Sequence, residues 1–261
     1  CETVALCESD SKRAATGLKN LGHEVPVFEN FDDFIKHDMD AVVLANFANE
    51  HAPFAIAAMK RGLHVFSEVL PVQTMKEAVE LIETVEETGC IYAYGENYCY
   101  MPAPFEMKKL YKQDKIGEFE YGECEYIHNC ESIWPSITYG EEDHWRNNMY
   151  STFYCTHSLG PLLTILEEEL RYVSCFGTGS HADDSKKDDM MCAQFQTDSG
   201  VIIRLMRNGR CRANIGHHNY RVFGTEGYME RIDRFEKPVI RYNSMKELDC
   251  ELKEIGGEFM P

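Results

Sequence analysis

The sequence predicts an α/β protein: an incomplete doubly wound parallel sheet followed by an α+β domain with a largely antiparallel open sheet. Three observations carry this reading. Between Asp40 and Pro102, short apolar runs alternate with helix-period stretches as strand, helix, strand, helix, strand, the spacing of parallel strands joined by right-handed crossovers. Beyond Pro102 the strand-like runs are separated by turn residues such as Asp198-Ser199-Gly200 and Asn208-Gly209 instead of helices. The 261 residues suffice for two cores, and the change of texture divides the chain into residues 1–101 and 102–261.

The elements follow in order. Thr3-Val4-Ala5-Leu6 forms a strand over residues 2–7 that ends in Glu8-Ser9-Asp10. Ser11 is placed to cap a helix over 12–21, stopped by Gly22. Residues 24–28 read as a short edge piece and 31–36 as a short helix. Ala41-Val42-Val43-Leu44-Ala45 is an apolar run of the kind buried on both faces. Phe54, Ala55, Ala58 and Met59 recur at three and four before Gly62, so they make a helix. Residues 63–66 form the next strand. Thr74 with Glu77 three positions on makes a capping box, and Ala78, Leu81, Ile82 and Val85 continue that helix to Gly89. Residues 90–94 are the third strand. In the second domain a helix over 104–113 precedes strands at 121–128, 172–177, 190–197, 201–206, 212–215 and 220–223. A long section rich in aromatic and imidazole groups, with Trp134 and 154–166, lies between the first two of these strands.

Ligands of such sheets lie off the carboxyl ends of the strands. Those ends carry Asn46, His51, Glu68, Asn97 and Tyr98, a polar set that marks an active-site edge by position. An acid closing a strand in this setting accepts hydrogen bonds from an adenosine ribose and repels a 2′-phosphate, so Glu8 favours NAD over NADP; its plain alternative is a solvated acid in a βα loop. That acid belongs about 20 residues after a glycine-rich turn, and the sequence starts too late to contain one. Gly177-Thr178-Gly179, with Ala182 after it, is followed by no convincing helix and reads as a loop.

Composition narrows the partners. A net charge of −18 with no basic stripe argues against nucleic acid and against an anionic membrane surface. No apolar run reaches the ~20 residues that span a bilayer, and no leader-like segment opens the sequence. The 11 cysteines are scattered, several of them in strands (Cys7, Cys90, Cys124, Cys192), and form no C-x-x-C pair, which points to buried, reduced thiols in the cytoplasm and to no metal site.

Three blocks carry a family likeness: Asp40-Ala-Val-Val-Leu-Ala with His51 and Gly62-Leu-His-Val-Phe-Ser-Glu68 before Pro71; Glu96-Asn97-Tyr-Cys-Tyr-Met-Pro102; and Lys115-Ile-Gly117. Together they resemble the glucose-fructose oxidoreductase / inositol dehydrogenase (Gfo/Idh/MocA) family, whose members use NAD(P) on sugars and polyols. The resemblance implies a Rossmann-type first domain whose first βα unit lies outside this sequence. One departure stands out. Family dehydrogenases carry Glu-Lys-Pro where this chain has Glu68-Val69-Leu70-Pro71, and valine transfers no proton. Tyr154-Cys-Thr-His157-Ser-Leu-Gly160-Pro161, Tyr126-Ile-His128 and His144-Trp145-Arg146 are similar instead to the NAD-dependent glycosidase branch typified by α-N-acetylgalactosaminidases. In that branch transient oxidation at C3 acidifies the C2 hydrogen, the aglycone leaves by elimination, and water adds.

On this resemblance His157 is the general base or acid with Tyr154 beside it, their three-residue offset sharing a helical face. His128 and His144 are substrate contacts or the second acid/base, Trp145 a stacking surface for the sugar, and Arg146 a contact to hydroxyls or a carboxylate, with Tyr98 beside them. Asn97 and Glu68 touch the nicotinamide ribose and Asn46 the cofactor backbone, with His51 among the cofactor residues. Each histidine has the alternative of a core group with a satisfied N–H, and Tyr154 that of a core aromatic with a bonded hydroxyl. Of His217 and His218, neighbours on a strand, at most one lines the site. The rival readings are a simple sugar or polyol dehydrogenase and a non-catalytic binding module or fragment. The open sheet, by analogy with the family, suggests a homo-oligomer.

Overall fold

A computed structural model describes residues 1–180, 188–209, 218–231, 239–247 and 252–256. The chain forms two compact units, Cys1–Gly95 and Glu96–Pro261.

The first unit holds two parallel sheets. β1 (Leu6–Cys7) pairs with β2 (Val27–Phe28), and separately β3 (Ala41–Leu44), β4 (His64–Ser67) and β5 (Tyr92–Tyr94) lie side by side in that order. The expected strand over 2–7 thus shrinks to two residues, because only Leu6 and Cys7 find a partner strand. α1 (Ser11–Leu21) is capped by Asp10, whose carboxylate accepts from the N–H groups of Lys12 and Arg13. Ser11, expected as the cap, is instead the first helical residue. Gly22 closes the helix in the left-handed region at φ 79°, where a residue without Cβ is unstrained. α2 (Phe31–Phe34) is short, α3 (His51–Met59) precedes β4, and α4 (Met75–Thr88) opens with the full Thr74–Glu77 capping box.

The core of this unit is Val42, Leu44 and Val65 from the sheet against Ala55, Ala58 and Met59 of α3 and Leu81 of α4. β3 and β4 alternate exposed and buried positions, and Val43 is 71% exposed. The expectation of burial on both faces is therefore corrected: α3 and α4 cover one face only.

The second unit is built on an eight-stranded sheet. β6 (Phe119–Ile127), β7 (Leu170–Gly177), β8 (Met190–Thr197), β9 (Ile202–Asn208), β10 (His218–Gly224), β11 (Gly227–Arg231), β12 (Val239–Ser244) and β13 (Lys253–Gly256) take the spatial order β13-β12-β11-β10-β6-β9-β8-β7. Every neighbouring pair is antiparallel except β6 with β9. The open antiparallel sheet read from the sequence is present. β11, β12 and β13 extend it beyond the strands read there, and the run at 212–215 lies outside the described residues, as does His217.

α5 (Pro102–Lys112) and α7 (Thr156–Leu166) cover one face, with the short α6 (Trp134–Ile137) between them in sequence. Met107 and Leu110 of α5 and Leu162 and Ile165 of α7 pack on Cys124, Ile203, Leu205, Tyr220, Val222 and Met229. The opposite face carries ion pairs. Arg204 reaches Glu123 at 3.2 Å and Glu125 at 3.1 Å, and Arg221 reaches Glu123 and Glu230, both at 3.0 Å. Lys115-Ile116-Gly117 turns against the β10–β11 hairpin, where Thr225 and Glu226 N–H groups donate to the carbonyls of Glu118 and Ile116 at 2.9 Å. The approach is close enough that a Cβ on Gly224 would collide with the Ile116 carbonyl.

Candidate active site

The second unit gathers its imidazoles and phenols at one place. The stretch before α7 is a 3₁₀ turn, Ser151–Tyr154, and His157 lies in the first turn of the helix. Tyr154 and His157 are brought together as the three-residue offset requires, with His157 Nε2 3.1 Å from the Tyr154 hydroxyl. His157 Nδ1 lies 2.7 Å from Glu96 Oε1. The carboxylate accepts from Nδ1–H, and whenever the imidazole is neutral its Nε2 is then the acceptor to which the Tyr154 O–H donates. Glu96, His157 and Tyr154 form one hydrogen-bonded line.

Glu96 is buried, as is His157. Burial pushes the Glu96 carboxyl upward, but the His157 hydrogen bond and charge, with the Tyr98 N–H, hold it below the usual carboxylate range. It accepts that N–H at 3.0 Å while capping the 3₁₀ turn Asn97–Tyr100, so one oxygen both fixes the turn and orients the imidazole. Gly160 permits the approach: a Cβ there would lie 3.0 Å from Glu96 Cγ and 3.3 Å from Cys99 Sγ. Neither role was visible in the sequence, where Glu96 served only to delimit a motif.

Aromatic rings wall this line. Tyr98 packs on His157 at 4.5 Å between ring centroids and on His218 at 3.9 Å. Tyr126 stacks on His218 at 4.2 Å, and its ring stands 6.0 Å from His157 and 6.1 Å from Tyr154. The Tyr126 hydroxyl meets His128 Nδ1 at 2.9 Å, which ties His128 to the same group. Of the histidine pair, His218 faces this cluster. Burial raises the phenols of Tyr98 and Tyr126.

His144, Trp145 and Arg146 form a neighbouring group. His144 is buried and its Nδ1 accepts from the Arg146 N–H at 3.2 Å. The Arg146 guanidinium lies 4.7 Å over the Trp145 ring, with its pKa lowered by burial and supported by the Tyr154 and Tyr139 hydroxyls. Trp134, singled out in the sequence only as an aromatic, donates from Nε1 to Asn147 at 2.7 Å and so braces this segment.

The residues expected to hold a cofactor lie on the first unit, apart from Asn97, which is exposed at the start of its 3₁₀ turn in the second. Glu8 follows β1; its carboxylate accepts from the Asp10 N–H at 2.9 Å and stands 3.5 Å from Arg13. Asn46 follows β3 and donates to Glu50 at 3.2 Å. The side-chain oxygens of Asn46 and Asn49 are buried with no hydrogen-bond partner. His51 is buried between the carbonyls of Leu70, 2.8 Å from Nδ1, and Asn46, 3.2 Å from Nε2, which joins the loops after β3 and β4. Glu68, after β4, is exposed.

Residues 1–96 match the family described as oxidoreductase family, NAD-binding Rossmann fold. Over this segment the chain is similar to the Gfo/Idh/MocA oxidoreductases. An α-N-acetylgalactosaminidase of Bacteroides fragilis is 31% identical over 180 residues, 63% of this chain and 42% of the relative. The chain spans about two fifths of the length of the curated relatives it matches. Among solved structures, an NAD-binding oxidoreductase from Klebsiella pneumoniae superposes with a TM-score of 0.82 at 18% identity, over 98% of this chain and 70% of that one. Myo-inositol 2-dehydrogenase from Lactobacillus plantarum gives 0.74 at 20% identity, over 87% and 67%. The matched segment coincides with the parallel first unit, and the solved neighbours share the fold. Among the described residues no helix is long and apolar enough to cross a membrane.

Proposed function

We propose that this chain is part of an NAD-dependent, sugar-active enzyme that cleaves a glycoside by transient oxidation at C3, elimination and addition of water. The observation that carries the reading is the line Glu96–His157–Tyr154, at 2.7 Å and 3.1 Å. A phenol backed by an imidazole and a buried carboxylate is built to pass protons reversibly, since the carboxylate stabilises the imidazolium that forms when His157 takes the Tyr154 proton. The 31% identity to an α-N-acetylgalactosaminidase supports the glycoside.

The first unit suits a dinucleotide. The unpartnered oxygens of Asn46 and Asn49 want hydrogen-bond donors, which ribose hydroxyls supply, and Glu8 would accept from the adenosine ribose. Asn97, Glu68 and His51 complete the proposed cofactor set. When bound, NAD supplies reversible two-electron oxidation at the sugar carbon. The protein residues move protons: the Tyr154 phenolate, formed by transfer to His157, takes a proton from the sugar. The Tyr126–His128 pair, whose tyrosine ring is 6.1 Å from that of Tyr154, offers a second transfer point within the span of one sugar ring. Tyr98, His144, Trp145 and Arg146 would hold the sugar.

A simple dehydrogenase is the second reading, favoured by the fold shared with myo-inositol 2-dehydrogenase and disfavoured by the missing lysine after Glu68. A cytoplasmic homo-oligomer that pairs through the charged sheet face also belongs to the proposal, since the Arg204 and Arg221 ladders alternate in sign and can match a second copy. The deciding experiment denatures the purified protein, assays released NAD, and then tests nitrophenyl glycosides. Near-stoichiometric NAD and cleavage without net NADH support the glycosidase. Accumulating NADH supports the dehydrogenase, and a protein that neither retains nor binds NAD overturns both.

A further inference from the structure

Arg207 is 6% exposed at the end of β9. In register it stands opposite Tyr126 across the β6–β9 pair, and His218 stands opposite Tyr126 across β6–β10. Strand partners project to the same face, so Tyr126 is flanked from both sides. The guanidinium carbon lies 4.0 Å from the Tyr126 ring centroid and the His218 ring 4.2 Å from it at 22°. Arg207 Nη1 donates to the carbonyl of Tyr126 at 3.4 Å and, more closely, to that of Asn208.

Its Nε is buried without a partner, and among the described residues no carboxylate pairs with Arg207. A buried cation without a counter-ion is costly, because little in the interior replaces its hydration. Filling space beneath a tyrosine needs no charge, and a methionine would serve. The charge has an effect where it sits: burial raises the Tyr126 phenol, and Arg207 is the main influence opposing that rise. The other titratable groups facing Tyr126 are His128, Cys130, Tyr154, His157, Tyr98 and His218. None is a permanent cation.

We propose that Arg207 is a positioning residue for Tyr126, clamping its ring by stacking and supplying the positive charge against which the hydroxyl gives its proton to His128. The Tyr126 O–H bond breaks and an N–H bond forms at His128 Nδ1, 2.9 Å away. The inference rests on the reading of this site as a proton-transfer centre for a sugar.

The test uses NAD-loaded protein and a nitrophenyl glycoside that the wild type cleaves, with Arg207→Met, Arg207→Lys, Tyr126→Phe and the double variant Arg207→Met/Tyr126→Phe. Arg207→Met should lower kcat roughly 10- to 100-fold, part of the 10²–10⁴ that positioned acids and bases supply, with KM little changed. The ascending limb of the pH profile should move to higher pH, and Arg207→Lys should recover part of the loss. In the Tyr126→Phe background the arginine substitution should add almost nothing. Additive losses, or an unmoved pH profile, overturn the proposal while leaving the glycosidase reading intact. If the wild type cleaves no glycoside, that reading fails, and tyrosinate absorbance decides the remainder. The transition lost in Tyr126→Phe should lie higher in Arg207→Met, or in Arg207→Lys should the methionine variant not fold. An unmoved transition overturns it.

Discussion

Tyr220 donates its hydroxyl to the backbone carbonyl of His157 at 2.6 Å. That carbonyl is the one orphaned by Pro161, which stands inside α7 four residues on and has no N–H to give. A strand residue thus completes the hydrogen bonding of the helix turn that bears the central histidine. Tyr220→Phe should leave a buried acceptor unsatisfied and cost about 1–3 kcal/mol, read by urea denaturation, with a loss of activity as the turn relaxes. An unchanged unfolding midpoint would mean that the carbonyl finds another donor.

Glu96→Gln removes the charge beside His157 and should lower turnover by roughly 10²–10⁴, with about 1–3 kcal/mol lost as the hydrogen bond to a charged group becomes one to a neutral amide. The pH dependence has a definite sign. The Glu96 carboxyl is held below the usual carboxylate range, so its contribution is fully present above that range and fades as pH falls through the lower folded-state value. The stability gap between wild type and Glu96→Gln should therefore be widest near neutrality and close in acid. A gap of constant size from neutral to acidic pH would contradict the pairing.

Gly160→Ala sets two effects against each other. Alanine in a helix gains about 1 kcal/mol over glycine, while a Cβ at 3.0 Å from Glu96 Cγ and 3.3 Å from Cys99 Sγ overpacks at a cost of about 1–3 kcal/mol. The net effect should lie between none and about 2 kcal/mol of destabilisation, and turnover should fall more than stability because the displaced group is Glu96. Calorimetry and kcat on the same preparation test this; a stabilised, fully active variant would show that the loop yields freely.

Burial pushes the thiols of Cys99 and Cys155 up to about 11, so roughly one in a thousand is thiolate at pH 8. Among the described cysteines, an aromatic disulfide reagent should modify the exposed Cys1, Cys7 and Cys175 first and reach Cys99 and Cys155 only on unfolding. Rapid native labelling of Cys155, identified by peptide mapping, would be the contrary result.

Much of this was legible along the chain. Thr74 and Glu77 announced α4 because a capping box is satisfied within four residues. Tyr154 and His157 were legible for the same reason: their spacing matches one turn, and the contact is made locally. Ser11 misled because Asp10, one residue earlier, is the better acceptor for two N–H groups at once. The burial of Val43 was overestimated because an apolar run records what a strand can bury, and only the packing of α3 and α4 shows which face is covered.

What the sequence by itself determined is the alternation of strand and helix in the first unit, the open antiparallel sheet of the second, and the pairing of Tyr154 with His157. These rest on periodicity and on contacts a few residues apart, which composition and spacing encode directly. Only the tertiary structure decided that Glu96, 61 positions before His157, holds its imidazole, that Tyr220 supplies the bond Pro161 withholds, and that Arg207 and His218 enclose Tyr126. Those contacts join elements far apart in the chain, and the last of them exists because the register of β6, β9 and β10 sets Tyr126, Arg207 and His218 on one face. A shift of one residue would turn each of them to the other side of the sheet.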